Sequence, residues 1–364
     1  MPLKFYFLST TTLLMLSSFL MTANAAVVVP CSGLNYANNK PTEADGTSCL
    51  EMNSSGDAYS ALLREGNGAS DLAVLFLHGR NKKLAGQAMK NHPNGDVVRQ
   101  LRTYLNTSLG LTTLSIETPN ISNDLNSNNR ADFFEYDAAE AIVFDQMQAR
   151  FNTALDGLKT QGIKRVVVMG FSMGSRYATA LTAAADQGVL GNGLDLVGLI
   201  GTGMYINSAN STTGPNDIRG FDTLGNLALI DSIPVLDVFG DLDAPAANSA
   251  TARKTAYAGA TGLYSQVSLA CPDYVNNAYY TGGGSKTYTK GNCHQLRDAQ
   301  DANGNTLVDV RGTANSPLTT TVISWFNNTD FDAVKSNVIS VPEPSTLVLL
   351  LLGVGFLGRK SLQK

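Results

Sequence analysis

Between Val166 and Ala178 the chain reads VVVMGFSMGSRYA. Gly170, Ser172 and Gly174 form G-x-S-x-G, the spacing that holds a serine nucleophile on a sharp strand-to-helix turn. With 34 glycines in the chain, such a pattern arises by chance often enough that its surroundings must decide. They fit: KRVVVM before it is a β-branched run of strand length, and SRYATALTAAA after it is a good helix former. The turn puts the nucleophile in a strained backbone conformation, so small neighbours are needed, and Gly170 and Gly174 are small. A serine at a helix N-terminus also aims backbone N–H groups at a developing oxyanion. A serine hydroxyl is a poor nucleophile without a base. The chain has three histidines for that role: His78, His92 and His294.

Several elements must hold these residues. The regular part is expected to begin at DLAVLFLHG, where Leu72 to Leu77 is an apolar run of strand length. The segment before it, to about Ser70, is rich in Asn, Gly and Ser and reads as a lead-in with one or two short strands. Val97, Leu101 and Leu105 recur every four residues and predict a helix over 96–105; Leu111 to Glu117 predicts the next strand. Ile142, Met147, Phe151 and Leu155 fall near one face of a long helix over 138–158. Leu194 to Gly203 and Ile233 to Asp241 predict two further strands, and an amphipathic helix is expected over 317–326. Strands alternating with helices imply an α/β fold: a mostly parallel sheet covered on both faces, in a single domain.

LHG at Leu77 to Gly79, GFSMG, GDLD at Gly240 to Asp243 and the late CHQL at Cys293 to Leu296 stand in an order that resembles the α/β-hydrolase superfamily. The resemblance covers about Leu72 to Asn328 and is nearest to the small esterase and dienelactone-hydrolase-like branch. Those lactonases typically carry cysteine where this chain has Ser172. The family implies a three-layer α/β-hydrolase sandwich and acyl transfer through an acyl-serine. It also implies the chain order serine, acid, histidine, which only His294 satisfies. The acid should follow a strand lying between Ser172 and His294, and Asp237, Asp241 and Asp243 are candidates. Asp243, beyond the strand end, is best placed, with Asp241 the runner-up. Asp237 interrupts the strand itself, and a buried carboxylate there would need partners. The oxyanion donors implied are the backbone N–H groups of Met173 and Arg80, with His78 holding the loop that carries Arg80. The family's late histidine usually has a small neighbour; here Cys293 precedes it and Gln295 follows. No long insertion reads as a lid, although 202–227 is placed to cover a pocket. This chemistry needs no metal or organic cofactor.

The two ends read as addresses. Lys4, the apolar FYFLSTTTLLMLSSFLM and the small residues Ala23 to Ala25 predict a signal peptide over 1–25; the polar STTT argues against a permanent anchor. At the other end, Pro342-Glu343-Pro344 precedes an apolar block from Thr346 to Gly358, then Arg359 and Lys360. As a helix that block spans ~20 Å, short of the ~30 Å of a hydrocarbon core. It suits a transient membrane contact better than an anchor. The order resembles the PEP-CTERM sorting signal. This implies signal peptidase and an exosortase-type enzyme as processing partners, and the surface or matrix of a Gram-negative bacterium as destination. The expected organisation is therefore 1–25 signal peptide, 26–340 hydrolase domain with its regular core over 72–328, and 341–364 sorting signal.

Composition agrees with one large domain: 364 residues, 43% hydrophobic and 15% charged. A net charge of −4, with no long basic cluster, gives no nucleic-acid groove. Cys31, Cys49, Cys271 and Cys293 suit an oxidising compartment and permit three pairings. Cys31–Cys49 with Cys271–Cys293 is preferred, each loop contributing on the order of 3 kcal/mol. Zinc is the weaker alternative, since there is no C-x-x-C. Asp301 to Asp309 places oxygens at four positions of a calcium loop but lacks its glycine and its bidentate glutamate, so a solvated turn is preferred. The functional expectation is an exported serine hydrolase acting on a small acyl ester or a polysaccharide-linked acyl group. Its rivals are a non-catalytic matrix protein that retains the fold and a serine peptidase of the same fold.

Overall fold

The computed structural model describes residues 27–29, 46–79, 96–119, 136–188, 193–206, 222–270, 291–294, 296 and 316–334. In chain order the strands are β1 (Val27–Val29), β2 (Ser48–Ser54), β3 (Asp57–Arg64), β4 (Leu72–Leu77), β5 (Thr112–Ile116), β6 (Arg165–Phe171), β7 (Asp195–Thr202), β8 (Val235–Gly240) and β9 (Tyr264–Leu269). The helices are α1 (Asp96–Leu109), α2 (Tyr136–Thr160), α3 (Met173–Asp186), α4 (Thr223–Leu227), α5 (Ala244–Asn248), α6 (Ala250–Ala256), α7 (Gly291–His294) and α8 (Pro317–Asn328).

One sheet runs β1-β2-β3-β5-β4-β6-β7-β8-β9. The pairs from β5 to β9 are parallel, and β1, β2 and β3 add an antiparallel edge. The central strands are apolar runs because both of their faces are covered. Every residue of β4 is buried, and its side chains alternate between two cores. Ala73, Leu75 and Leu77 pack with Phe151, Leu155, Tyr177 and Leu181 of α2 and α3. Leu72, Val74 and Phe76 pack with Val97 and Leu101 of α1 and with Val322 and Trp325 of α8. The result is a three-layer α/β sandwich with a mostly parallel sheet.

The lead-in before Leu72, where one or two short strands were expected, carries three described strands. β2 and β3 form a full hairpin, with Ser54 opposite Asp57. Its two turn residues, Ser55 and Gly56, both have positive φ, as a type I′ turn requires. Asn53 Oδ1 accepts the Gly56 N–H at 2.8 Å. The hairpin is tied to α2 by Arg150, which donates to both oxygens of Asp57 at 2.7 and 3.0 Å and lies over the Tyr59 ring. The edge strand β9 was also unanticipated: half-buried Ser265 and Gln266 conceal it from a hydrophobicity reading.

Among the described residues no helix is long and apolar enough to cross a membrane. No cysteine there is free, and the preferred pairings of Cys49 and Cys293 each run to a residue outside the described ones. The signal peptide, the 301–309 loop and the segment from 341 onward also lie outside the described residues.

Candidate active site

The parallel strands β6, β7 and β8 end side by side, and the turns that follow them meet at one edge of the sheet. Ser172 occupies the turn between β6 and α3 with φ 53° and ψ −119°. It is one of three described non-glycine residues at positive φ, a conformation that costs on the order of 1–3 kcal/mol and is kept only where its surroundings enforce it. Here they do. The Ser172 N–H donates to Thr202 O at 2.9 Å, and the Ser172 carbonyl accepts from both the N–H and the hydroxyl of Ser175. Thr202 Oγ1 in turn donates to Gly170 O at 2.9 Å.

Backbone crowding explains the two glycines of the motif. A Cβ on Gly174 would strike the carbonyl oxygens of Leu77 and His78, and one on Gly170 would strike the backbone of Gly174 and Ser175. Helix α3 thus approaches the end of β4 too closely for a side chain at Gly174, and the end of β6 too closely for one at Gly170.

Asp243 follows β8 and is the N-cap of α5, but its carboxylate makes no capping hydrogen bond. It faces His294, which closes the one-turn helix α7, an element where a loop was expected. His294 Nδ1 lies 2.7 Å from Asp243 Oδ2, and His294 Nε2 lies 2.7 Å from Ser172 Oγ. A carboxylate only accepts, so Nδ1 carries the proton and Nε2 presents its lone pair to the serine hydroxyl. The Asp243 side chain is 3% exposed and that of His294 27%, so the carboxylate is sheltered while the imidazole borders solvent. Phe171 packs beside the imidazole, with ring centroids 5.2 Å apart. Gly203 leaves room for it, since a Cβ there would sit 3.1 Å from Nδ1.

Of the three aspartates, the structure brings Asp243 to the histidine. Asp241 is exposed, and Asp237 is buried in a network of its own. His78 is fully buried. Its Nδ1 meets Gly79 O at 2.8 Å, and its Nε2 accepts from Thr118 N–H at 3.4 Å. The ring therefore braces the chain leaving β4. Met173 is the first residue of α3, so its N–H has no acceptor inside the helix. Arg80 and His92 lie outside the described residues, as do 207–221 of the segment expected to cover a pocket. Sequence reasoning took Thr202 and Gly203 only as the start of a segment placed to cover a pocket and assigned no role to Phe171. The available signal was that Thr202-Gly203 ends the strand next to the one bearing the serine. No group of three or more His, Cys, Asp or Glu is gathered as metal ligands among the described residues.

Residues 340–362 match the PEP-CTERM protein-sorting motif. No curated protein matches the chain. Among solved structures, a dienelactone hydrolase from Anabaena variabilis is 18% identical with TM-score 0.40; the match covers 62% of this chain and 85% of that one. A cold-adapted esterase from an Arctic intertidal metagenomic library is 13% identical with TM-score 0.39, over 62% and 85% of the two chains. Est1E from Butyrivibrio proteoclasticus is 16% identical with TM-score 0.38, over 61% and 88%.

Proposed function

We propose that this chain is an exported serine hydrolase of the α/β-hydrolase type, cleaving an ester or related acyl bond through an acyl-serine. One observation carries the reading: a strained serine, a histidine and a buried carboxylate are joined by two 2.7 Å contacts in the order a proton relay needs. Three elements far apart in sequence converge to make those contacts.

In the proposed reaction His294 Nε2 takes the Ser172 proton as Oγ attacks the acyl carbon. Asp243 accepts the Nδ1 proton in a hydrogen bond throughout, fixing the tautomer and stabilising the imidazolium. The tetrahedral oxyanion is held by the backbone N–H of Met173 and, in this proposal, that of Arg80. His294 then gives its proton to the departing alkoxide. In the second half it deprotonates water, which attacks the acyl-serine; as the C–Oγ bond breaks, His294 returns the proton to Ser172 Oγ, releasing the acid and the free serine.

The sorting motif supports an exported destination. In this reading signal peptidase removes 1–25, an exosortase-type enzyme removes the sorting signal from about 341, and 26–340 is the working domain at the cell surface or in the matrix. That address makes a small acyl ester, or an acyl group on surface polysaccharide, the substrate class to try first. The test is fluorophosphonate labelling and p-nitrophenyl ester turnover of the full chain, beside Ser172→Ala and His294→Ala. Labelling and turnover present in the parent and absent from both folded variants are expected. A folded parent that neither labels nor hydrolyses would sink the reading in favour of a non-catalytic matrix role.

A further inference from the structure

Asp237 stands in the middle of β8, where its neighbours Val235, Leu236, Val238 and Phe239 are all apolar and buried. It and Arg253 of α6 form an ion pair with both side chains 0% exposed. Every side-chain nitrogen and oxygen of the pair has a partner. Arg253 Nε and Nη2 donate to the two carboxylate oxygens at 2.9 and 3.1 Å. The Tyr264 hydroxyl and Gln266 Nε2, both on β9, donate to Oδ2 at 2.9 and 2.8 Å. Burial and the adjacent Asp237 carboxylate push the Tyr264 phenol upward, so it remains a donor. On its other side Arg253 Nη1 donates to Ala246 O at 2.8 Å and to Ser249 Oγ at 2.5 Å, and the guanidinium lies over the Phe239 ring.

A buried ion pair of this kind adds little stability over well-packed apolar residues, because both charges must leave water. Its distinctive consequence here is geometric. Helix α5 has five residues, too few to hold their own conformation. An N-cap aspartate ordinarily secures such a helix by accepting an N–H of its first turn, but the Asp243 carboxylate is turned to His294 instead. Arg253 fastens α5 to the sheet side by gripping its interior carbonyl at Ala246 and the Ser249 hydroxyl just beyond its end, alongside the packing of Ala246 against Phe239 and Ala250. Asp237, Tyr264 and Gln266 in turn lock Arg253 to two strands of the sheet.

We propose that Asp237 and Arg253 are positioning residues for Asp243: they fasten α5 to β8 so that its N-cap carboxylate is free to hold His294. This rests on the Ser172–His294–Asp243 reading for its catalytic meaning, but the geometric effect has its own readout. The low-field proton signal of His294 Nδ1–H, identified by its loss in His294→Ala, reports the bond to Asp243 with or without turnover. In the full chain, the double variant Asp237→Leu/Arg253→Met replaces the pair with apolar volume and is expected to fold. Its His294 signal should broaden or vanish, and kcat on a p-nitrophenyl ester should fall at least tenfold with KM within twofold. Arg253→Lys, which keeps the charge, should recover part of kcat. A folded double variant with an unchanged His294 signal overturns the proposal. If that variant fails to fold, Ser249→Ala serves instead, removing one Arg253 contact; a weakened signal supports the proposal and an unaltered signal overturns it. A parent with the His294 signal but no labelling or turnover sinks the hydrolase reading alone.

Discussion

Strand β6 joins two ends of the molecule that use charge in opposite ways. At its start Arg165 donates to Asp71 at 2.6 and 3.0 Å and pairs with the exposed Asp332 just beyond α8. Those charges satisfy one another at the surface, in relaxed backbone, and tie the end of the chain's last described helix to the sheet. At its finish Ser172 is strained, the adjoining glycines are dictated by backbone contact, and the Asp243 carboxylate is buried against a histidine. The difference follows from direction. Parallel strands send the N-termini of the following helices and the intervening turns to their C-terminal edge, where unbonded N–H groups and side chains from separate strands converge. The opposite edge receives helix C-termini, and the side chains that meet there, Asp71, Arg165 and Asp332, are partly or largely exposed and pair with one another.

The largest expected difference between the two ends lies in their carboxylates. Asp243→Asn should lower kcat by about 10⁴ by presenting the wrong histidine tautomer, whereas Asp332→Asn should leave kcat unchanged; steady-state ester kinetics on both variants decides it. Backbone crowding comes next. Gly174→Ala must push α3 off the Leu77 and His78 carbonyls and should cost about 1–3 kcal/mol, read as a lower urea midpoint together with lost fluorophosphonate labelling. Ser172→Gly should do the reverse for stability. It relieves the positive φ and is expected to raise the unfolding free energy by ~1 kcal/mol while removing the proposed nucleophile; a variant less stable than the parent would mean that Ser172 is not strained. Smallest is Arg165→Gln, whose partly exposed ion pairs are worth at most about 1 kcal/mol and less in high salt. Urea titration at two ionic strengths would measure it.

Elements buried on both faces were legible because both faces demand apolar residues. Leu72–Leu77 stands where the sequence put it, and the strands ending near Ser172, Gly203 and Asp241 differ by one or two residues at their ends. The sheet's edges were not legible. Tyr264–Leu269 carries polar residues because its outer side is half open, and the Ser55-Gly56 turn lacks the Asn-Gly that marks a hairpin. Asp237 was recognised as a carboxylate in need of partners, yet two of them, Tyr264 and Gln266, lie on that unanticipated strand and Arg253 on an unanticipated helix. The choice of Asp243 over Asp241 depended on where the strand ends. Asp241 N–H still bonds to Leu269 O on the neighbouring strand, which keeps it at the sheet margin, and only two residues later has the chain turned inward.

By itself the sequence determined the serine's turn, the strand–helix alternation that builds a parallel sheet, and the sorting motif at the C-terminus. These are written in local spacing and composition, over windows shorter than an element. Only the tertiary structure decided which carboxylate meets His294 and what secures the short helix beneath it. Those contacts join residues 51, 122 and 16 positions apart, and such distances close only when the sheet brings the ends of its strands together.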